Sequence, residues 1–436
     1  MKYRSTRDPA VEASLSEALA QGLAPDGGLY VPEEWPAFDL AALARARDLP
    51  ELAARFLAPF AAGDALGVTE LAAITREAFD FPLPLVPLAP ELYLLELFHG
   101  PTAAFKDFGA RFLAAALARL GRIATNGAAR PLTILVATSG DTGGAVAAAF
   151  HRRPGFEVAI LFPQGLVSPT QARQLTSFGD NVRAFAVRGS FDDCQRLVKE
   201  ALRDPELRAE RDLSSANSIN LGRLLPQAAY YAWASLALER AHAAPASFVI
   251  PSGNLGNACA CLWARRAGLP IERVVLAHNA NRAIPDYLAS GRYEPRASRP
   301  TLASAMDVGD PSNFERVRTL HPTLAELRGA LSACSVDDDA IRSRIRAEFA
   351  EHGRIFCPHT ATAAEAFARL PAAARARGPW VLVATAHPAK FPEIVAPLIS
   401  RELELPPSLA RLSERSTRSE ALAPALSGLR AALLAR

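Results

Sequence analysis

The chain is predicted to fold as an α/β protein: two open, mostly parallel sheets with helices on both faces, behind an N-terminal helical module. Three features of the sequence predict this. Short apolar runs bounded by turn residues alternate with helix-length amphipathic stretches beyond residue 130. The alternation falls into two series, the first closing with a helix at Phe191–Leu202 and the second starting with a helix at Leu221–Ala241. Each run is followed closely by a helix signal, which implies crossover connections, parallel pairing and sheets covered on both faces.

The elements follow in order. Residues 1–90 read as short helices and turns, ending in the proline-rich Phe81-Pro82-Leu83-Pro84-Leu85-Val86-Pro87-Leu88-Ala89-Pro90. Closely spaced prolines interrupt regular structure, so a module boundary is expected there. The first series is a strand at Leu132–Ala137, a helix from about Gly143, a strand at Glu157–Phe162, a helix at Pro169–Phe178, a strand at Val182–Val187 and a helix at Phe191–Leu202. The second is a helix at Leu221–Ala241, a strand at Ser247–Pro251, a helix from Gly256 and a strand at Arg273–Ala277. It resumes with a strand at Trp380–Ala386 and a helix at Phe391–Ile399. The last stretch reads as helical and arginine-rich.

At 436 residues, half of them apolar, the chain can build a large core and more than one domain. A net charge of +3 without a long single-sign block argues against nucleic acid as a partner. No segment reaches the roughly 20 apolar residues of a membrane helix, and the N-terminus has no apolar signal core. Cys194, Cys259, Cys261, Cys334 and Cys357 are odd in number and scattered, which fits reduced thiols in the cytoplasm. No His, Cys, Asp or Glu cluster has metal-ligand spacing, so no metal is expected.

Chemistry concentrates at one lysine and three loops. Only four of the 48 basic residues are lysines, Lys2, Lys106, Lys199 and Lys390. A position that keeps lysine where arginine is otherwise used can need a deprotonatable amine. Lys106 lies between apolar residues at the start of a helical run, where desolvation lowers its pKa and favours a nucleophilic amine of the Schiff-base type. An ordinary helix-start lysine is the plainer reading of that residue alone. Two glycine loops follow predicted strands: Ser139, Gly140, Asp141, Thr142 and Gly143 in one, and Ser252, Gly253, Asn254, Leu255, Gly256 and Asn257 in the other. Both can present backbone N–H groups to an anion at a helix start. The third loop runs from Thr385 to Phe391 and contains Lys390. None matches a dinucleotide or P-loop fingerprint. A Schiff-base lysine with a phosphate cradle is what pyridoxal 5'-phosphate requires, and the second anion site suits a substrate carboxylate.

These stretches resemble the threonine synthase family, in its short bacterial and fungal type, within the fold type II pyridoxal-phosphate enzymes, whose fold is like that of tryptophan synthase β. The matching segments are FHGPTAAFKDFG at 98–109, ATSGDTGGA at 137–145, PQGLVSPTQ at 163–171 and FDDCQRLVK at 191–199. They continue with NSINLGRLLPQAAYY at 217–231, PSGNLGN at 251–257, AMDVGDPSNFERV at 305–317, CPHTATA at 357–363 and TAHPAKF at 385–391. YRSTR at 3–7 and LAPDGGLYVP at 23–32 resemble that family's start. Leu255 and Asp8 depart from the usual phenylalanine and glycine, and neither change removes a chemical group.

The resemblance implies a division into an N-terminal module at 1–90, a large cofactor-binding domain at 91–130 and 217–436, and a small domain at 131–216. It implies that Lys106 carries pyridoxal phosphate as a Schiff base and moves protons at the α and β carbons of O-phospho-L-homoserine. Ser252 through Asn257 would bind the cofactor phosphate, and Thr385 its ring nitrogen. Ser139, Gly140, Asp141, Thr142 and Gly143 would take the substrate carboxylate. Water would replace phosphate to give L-threonine, in a cytoplasmic monomer or homodimer. A phospho-lyase or dehydratase giving 2-oxobutanoate, and a non-catalytic small-molecule binder, are the alternatives. For the substrate phosphate, the residues themselves suggest Arg223, with its bidentate fork, and Lys390 near Thr385, with Asn217 in the adjoining polar run. Each has a plainer reading: a solvated helix start for Lys390, and helix capping for the Asn217 run. His99, His387 and His359 read as packing, loop-shaping and capping residues, and Asp107 as a local counter-charge.

Overall fold

The computed structural model describes residues 1–125 and 130–435. At the N-terminus three short strands, β1 (Tyr3–Ser5), β2 (Glu12–Ala13) and β3 (Tyr30–Pro32), form an antiparallel sheet ordered β2-β1-β3. The sequence predicts only helices and turns here, because strands this short cannot display an alternating pattern. Buried residues of helices Leu15–Gln21, Leu49–Leu57 and Val68–Ala78 share one core with Tyr3, Tyr30 and Val31. Arg316 anchors this region to the rest of the chain: its buried guanidinium donates to the carbonyls of Tyr30, Ser218 and Ile219.

The proline-rich stretch holds a strand rather than only a break. β4 (Leu85–Ala89) pairs antiparallel with β5 (Leu92–Glu96) at the edge of a large sheet. An edge strand tolerates Pro87 because one of its sides needs no N–H donor. The Lys106–Thr125 helix follows, then β6 (Leu132–Ala137), the Asp141–Phe150 helix, β7 (Phe156–Pro163), the Pro169–Thr176 helix, β8 (Val182–Val187), the Phe191–Arg203 helix and β9 (Asp212–Ser215). The helix expected over Leu221–Ala241 is divided into Leu221–Leu224, a 3₁₀ turn at Leu225–Gln227 and Ala228–His242. Pro226 has no N–H to continue the first turn.

Next come β10 (Ala246–Pro251), the Gly256–Arg266 helix, β11 (Ile271–His278), β12 (Ser332–Ser335), the Pro358–Ala368 helix, β13 (Trp380–Ala384) and β14 (Glu420–Leu422). The large sheet has the order β12-β11-β10-β13-β5-β4, parallel except at β4. The second sheet, β14-β8-β7-β6-β9, is parallel throughout. Strands β10 and β13 are buried along their whole length, as expected where helices cover both faces. The last strand corrects one expectation: residues 420–434, expected with the large domain, lie on the second sheet. There Leu422, Leu429 and Leu433 pack with Phe185 and Leu197, and Arg183 pairs with Glu420.

The topology positions the chemistry. β10, β13 and β5 are neighbours in the large sheet, so the loops leaving their C-terminal ends lie side by side. Those loops carry Ser252–Asn257, Thr385 and Lys106. β6 and β9 are neighbours in the second sheet and lead into the Ser139 loop and Asn217. Ligands in open parallel sheets bind at such carboxyl ends.

Candidate active site

Lys106 is fixed by its neighbours in sequence. The Phe105 N–H donates to the Thr385 carbonyl (2.9 Å), the His387 N–H donates to the Ala103 carbonyl (3.0 Å), and Ala104 and Ala386 form an antiparallel bridge. Two loops from adjacent strand ends are thereby laced together. Asp107 locks the turn: its carboxylate accepts from the Thr102 N–H (2.8 Å) and hydroxyl (2.7 Å). It therefore shapes the loop and is not free to face Lys106. The Lys106 side chain is half-buried and opens into a cavity between the two sheets. Desolvation pushes its amine down to about 8; Arg223 and Lys390 act in the same direction, and Asp141 opposes them.

All six residues from Ser252 to Asn257 line that cavity, as do Thr385, Ser139, Asp141, Thr142, Asn217 and Arg223. Gly253 meets Met306 so closely that a β-carbon there would stand 2.7 Å from the Met306 Cα. Leu255 takes left-handed geometry, φ 61°, as the cap of the Gly256–Arg266 helix, whose N-terminus borders the cavity. Asn257 Oδ1 accepts from the Tyr231 hydroxyl (2.7 Å), while its Nδ2 is buried without a partner. An unpaired buried donor beside a helix N-terminus suits an anionic ligand. The residues fit a pyridoxal phosphate: an amine that loses its proton more readily than an ordinary lysine, a glycine with no room for a side chain, and an unsatisfied donor. Two loop side chains are otherwise engaged. The Ser252 hydroxyl donates to the Ile250 carbonyl, and the Asn254 amide joins Ser218 to the Ser312 backbone.

Several sequence expectations need correction. The Gly140 and Gly143 N–H groups both donate to the Thr138 hydroxyl (2.9 Å each), so neither is free for a carboxylate. Gly143 faces Leu175 and Ile160, and Gly140 (φ 138°) faces Gln171, where side chains of their own would collide. The Asn217 amide is consumed by Ala137, accepting from its N–H (3.0 Å) and donating to its carbonyl (2.7 Å). Lys390 is neither a solvated helix start nor a cavity residue: it is buried, with its amine on the Asp141 carboxylate and the Thr102 carbonyl. Burial would raise the Asp141 carboxyl, but the ammonium groups of Lys390 and Lys106 outweigh it and hold Asp141 well below the usual carboxylate range.

Arg223 does face the cavity. Its buried guanidinium lines the cavity, donates to the Ala216 carbonyl and keeps Nε without a partner. Burial lowers it to about 10, which still leaves a cation at neutral pH. His359 is the residue that sequence reasoning missed. It lines the cavity from the Pro358–Ala368 helix, and its Nε2 accepts from the Ala305 N–H (3.1 Å). Burial pushes it down to about 4, so it is neutral. His99 pairs with Glu96 at the surface, and His387 accepts from the Ala389 N–H (3.2 Å) in its own turn. Among the described residues no group of three His, Cys, Asp or Glu could hold a metal ion, and no helix is long and apolar enough to cross a membrane.

The chain is similar to known proteins along its whole length. Residues 79–386 match the pyridoxal-phosphate dependent enzyme family, residues 2–79 the threonine synthase N terminus and residues 360–432 the threonine synthase C-terminal family. The chain is 39% identical to the threonine synthase of Serratia marcescens, covering 100% of this chain and 99% of that one. It is 38% identical to that of Escherichia coli K12 over 95% of both chains. The crystal structure of threonine synthase from Escherichia coli superposes with a TM-score of 0.92 at 37% identity, covering 100% of this chain and 99% of that one. The pyridoxal-phosphate-bound threonine synthase of Brucella melitensis gives 0.88 at 37%, covering 99% and 98%. Full-length likeness at these identities, joined to a cavity built around Lys106, means that the chain belongs to the threonine synthase family of pyridoxal-phosphate-dependent enzymes.

Proposed function

We propose that the protein converts O-phospho-L-homoserine and water to L-threonine and phosphate, with Lys106 carrying the cofactor. The observation that carries this reading is a cavity with two distinct anion-binding features. The Ser252–Asn257 loop, with its unpaired Asn257 Nδ2, takes the cofactor phosphate. Arg223, cationic and with Nε unpaired, takes the phosphate of the substrate. Pyridoxal phosphate supplies an electron sink that makes C–H bonds near the substrate nitrogen acidic.

The chain's own groups do the rest. The Lys106 amine, once free, accepts and returns protons at the substrate α and β carbons. Ser139 and Thr142 receive the substrate carboxylate, now without the Gly140 and Gly143 N–H groups. The Thr385 hydroxyl, which lines the cavity, would serve the cofactor ring nitrogen as a neutral partner. Arg223 steadies the phosphate as it departs from the γ carbon, and water adds at the β carbon. The five unpaired cysteines fit a cytoplasmic location.

The test is product analysis. Purified protein with O-phospho-L-homoserine and pyridoxal phosphate should release threonine and phosphate in equal amounts. Release of 2-oxobutanoate and ammonia would identify a dehydratase or phospho-lyase, and no turnover with retained cofactor binding would identify a binding protein.

A further inference from the structure

Lys390 and Asp141 form a buried ion pair behind the cavity, with Nζ 2.9 Å from the carboxylate and side-chain exposures of 0% and 2%. Burying two charges costs more solvation than a well-packed apolar pair, so such a pair is weak evidence for stability alone. The Lys390 amine also donates to the Thr102 carbonyl (2.9 Å), and Gln171 donates to Asp141 (3.2 Å). The Lys106 amine, by contrast, has no hydrogen bond or ion pair among the described residues and lies 5.7 Å from the centroid of the Phe105 ring.

The charged and titratable groups around Lys106 are few. Asp141 acts on it from the Asp141–Phe150 helix, Arg223 from the Leu221–Leu224 turn, Lys390 from the loop after β13, and neutral His359 from the Pro358–Ala368 helix. Asp107, next in sequence, is held by the Thr102 N–H and hydroxyl and is not among the groups that shift Lys106. Asp141 is therefore the carboxylate placed to hold Lys106 as an ammonium ion, and Lys390 already occupies it.

We propose that Lys390 is a positioning residue for Lys106: it takes up the Asp141 carboxylate, so that the Lys106 amine stays free to attack an aldehyde carbonyl. In that reaction the nitrogen lone pair bonds to the carbonyl carbon, and the oxygen leaves as water with two hydrogens from the amine. Only the unprotonated amine can begin it. The inference rests on the reading of Lys106 as the cofactor-bearing residue.

The experiment uses full-length protein stripped of cofactor. Condensation with pyridoxal phosphate is followed by absorbance and trapped with borohydride from pH 6 to 10. The wild-type rate should rise with pH around a midpoint near 8. In Lys390→Met the midpoint should move up by about one pH unit, making condensation roughly tenfold slower at neutral pH. Asp141→Asn, which leaves the Lys390 cation facing Lys106, should move it down. It also decides the matter if Lys390→Met does not fold. A Lys390→Met rate reduced equally at every pH, with an unmoved midpoint, would mean that Lys390 only wedges the Thr102 loop. An unmoved or raised midpoint in Asp141→Asn would equally overturn the inference. Trapped label on a peptide without Lys106 would instead overturn the proposed function.

Discussion

Gly253 and Met306 meet backbone to backbone: a β-carbon on Gly253 would lie 2.7 Å from the Met306 Cα and 3.1 Å from its carbonyl carbon. Main-chain atoms cannot swing aside as a flexible side-chain tip can, so any residue larger than glycine must displace one loop or the other. Gly256 differs, since its nearest neighbour would be the Ser218 Cβ at 3.3 Å, a tight but adjustable contact. The Met306 segment is itself restrained, because Asp307 accepts from Asn279 (2.7 Å) and from the Thr301 N–H (3.0 Å) and hydroxyl (2.7 Å). The strain of a substitution therefore falls on the Ser252–Asn257 loop. Gly253→Ala is expected to weaken cofactor binding at least about tenfold, equivalent to about 1.4 kcal/mol, with a much smaller effect for Gly256→Ala. Equilibrium titration of both variants with pyridoxal phosphate checks this; equal affinities would mean that the loop does not hold the cofactor phosphate.

Arg223 is the cation expected to bear the substrate phosphate. Arg223→Met should leave the cofactor spectrum intact and lower kcat/KM for O-phospho-L-homoserine about ten- to hundredfold, the 1.5–3 kcal/mol of a charge-assisted hydrogen bond. Arg223→Lys should recover only part of this, since an ammonium cannot offer the guanidinium fork. Steady-state kinetics decides it. Near wild-type values in both variants would remove Arg223 from the substrate site.

His359 gives the protein a pH-dependent stability. Its folded pKa, about 4, lies below the ordinary 6.5, because burial disfavours the imidazolium. Between those values the unfolded chain binds the proton and the folded one does not, so stability falls as pH drops from 6.5 toward 4. From pH 7 to pH 5 the loss from this residue is on the order of 2 kcal/mol. His278, similarly depressed to about 4, adds a second such term. Urea unfolding at the two pH values should show wild type losing stability and His359→Gln losing distinctly less. Identical losses would mean that His359 does not stay neutral in the folded protein.

Much of the fold was readable because long buried strands and their helices are local patterns. β6, β8 and β10 appear within one residue of their expected ends. What escaped depends on distant pairing. β1, β2, β3 and β14 are too short to show a period, and β4 contains a proline that reads as a break. The order β10-β13-β5, which gathers the three loops, is set by contacts across the chain and leaves no local trace. The site divides in the same way. Lys106 and Ser252–Asn257 stood out because a rare lysine and closely spaced glycines carry chemical meaning on their own. The burial of Lys390 is not legible in the sequence because its partner, Asp141, comes from the helix start that follows a strand of the other sheet. Asn217, Gly140 and Gly143 looked like ligand groups, and only the fold shows their hydrogen bonds spent on Ala137 and Thr138.

Whether Lys106 bears the cofactor can be measured without depending on the substrate. Protein loaded with pyridoxal phosphate is reduced with borohydride, digested and mapped by mass spectrometry, beside Lys106→Ala treated identically. One phosphopyridoxyl group is expected on the peptide containing Lys106 in the wild type, and none in the variant, which should still fold. A label on Lys2, Lys199 or Lys390, or a label that persists in Lys106→Ala, would contradict it.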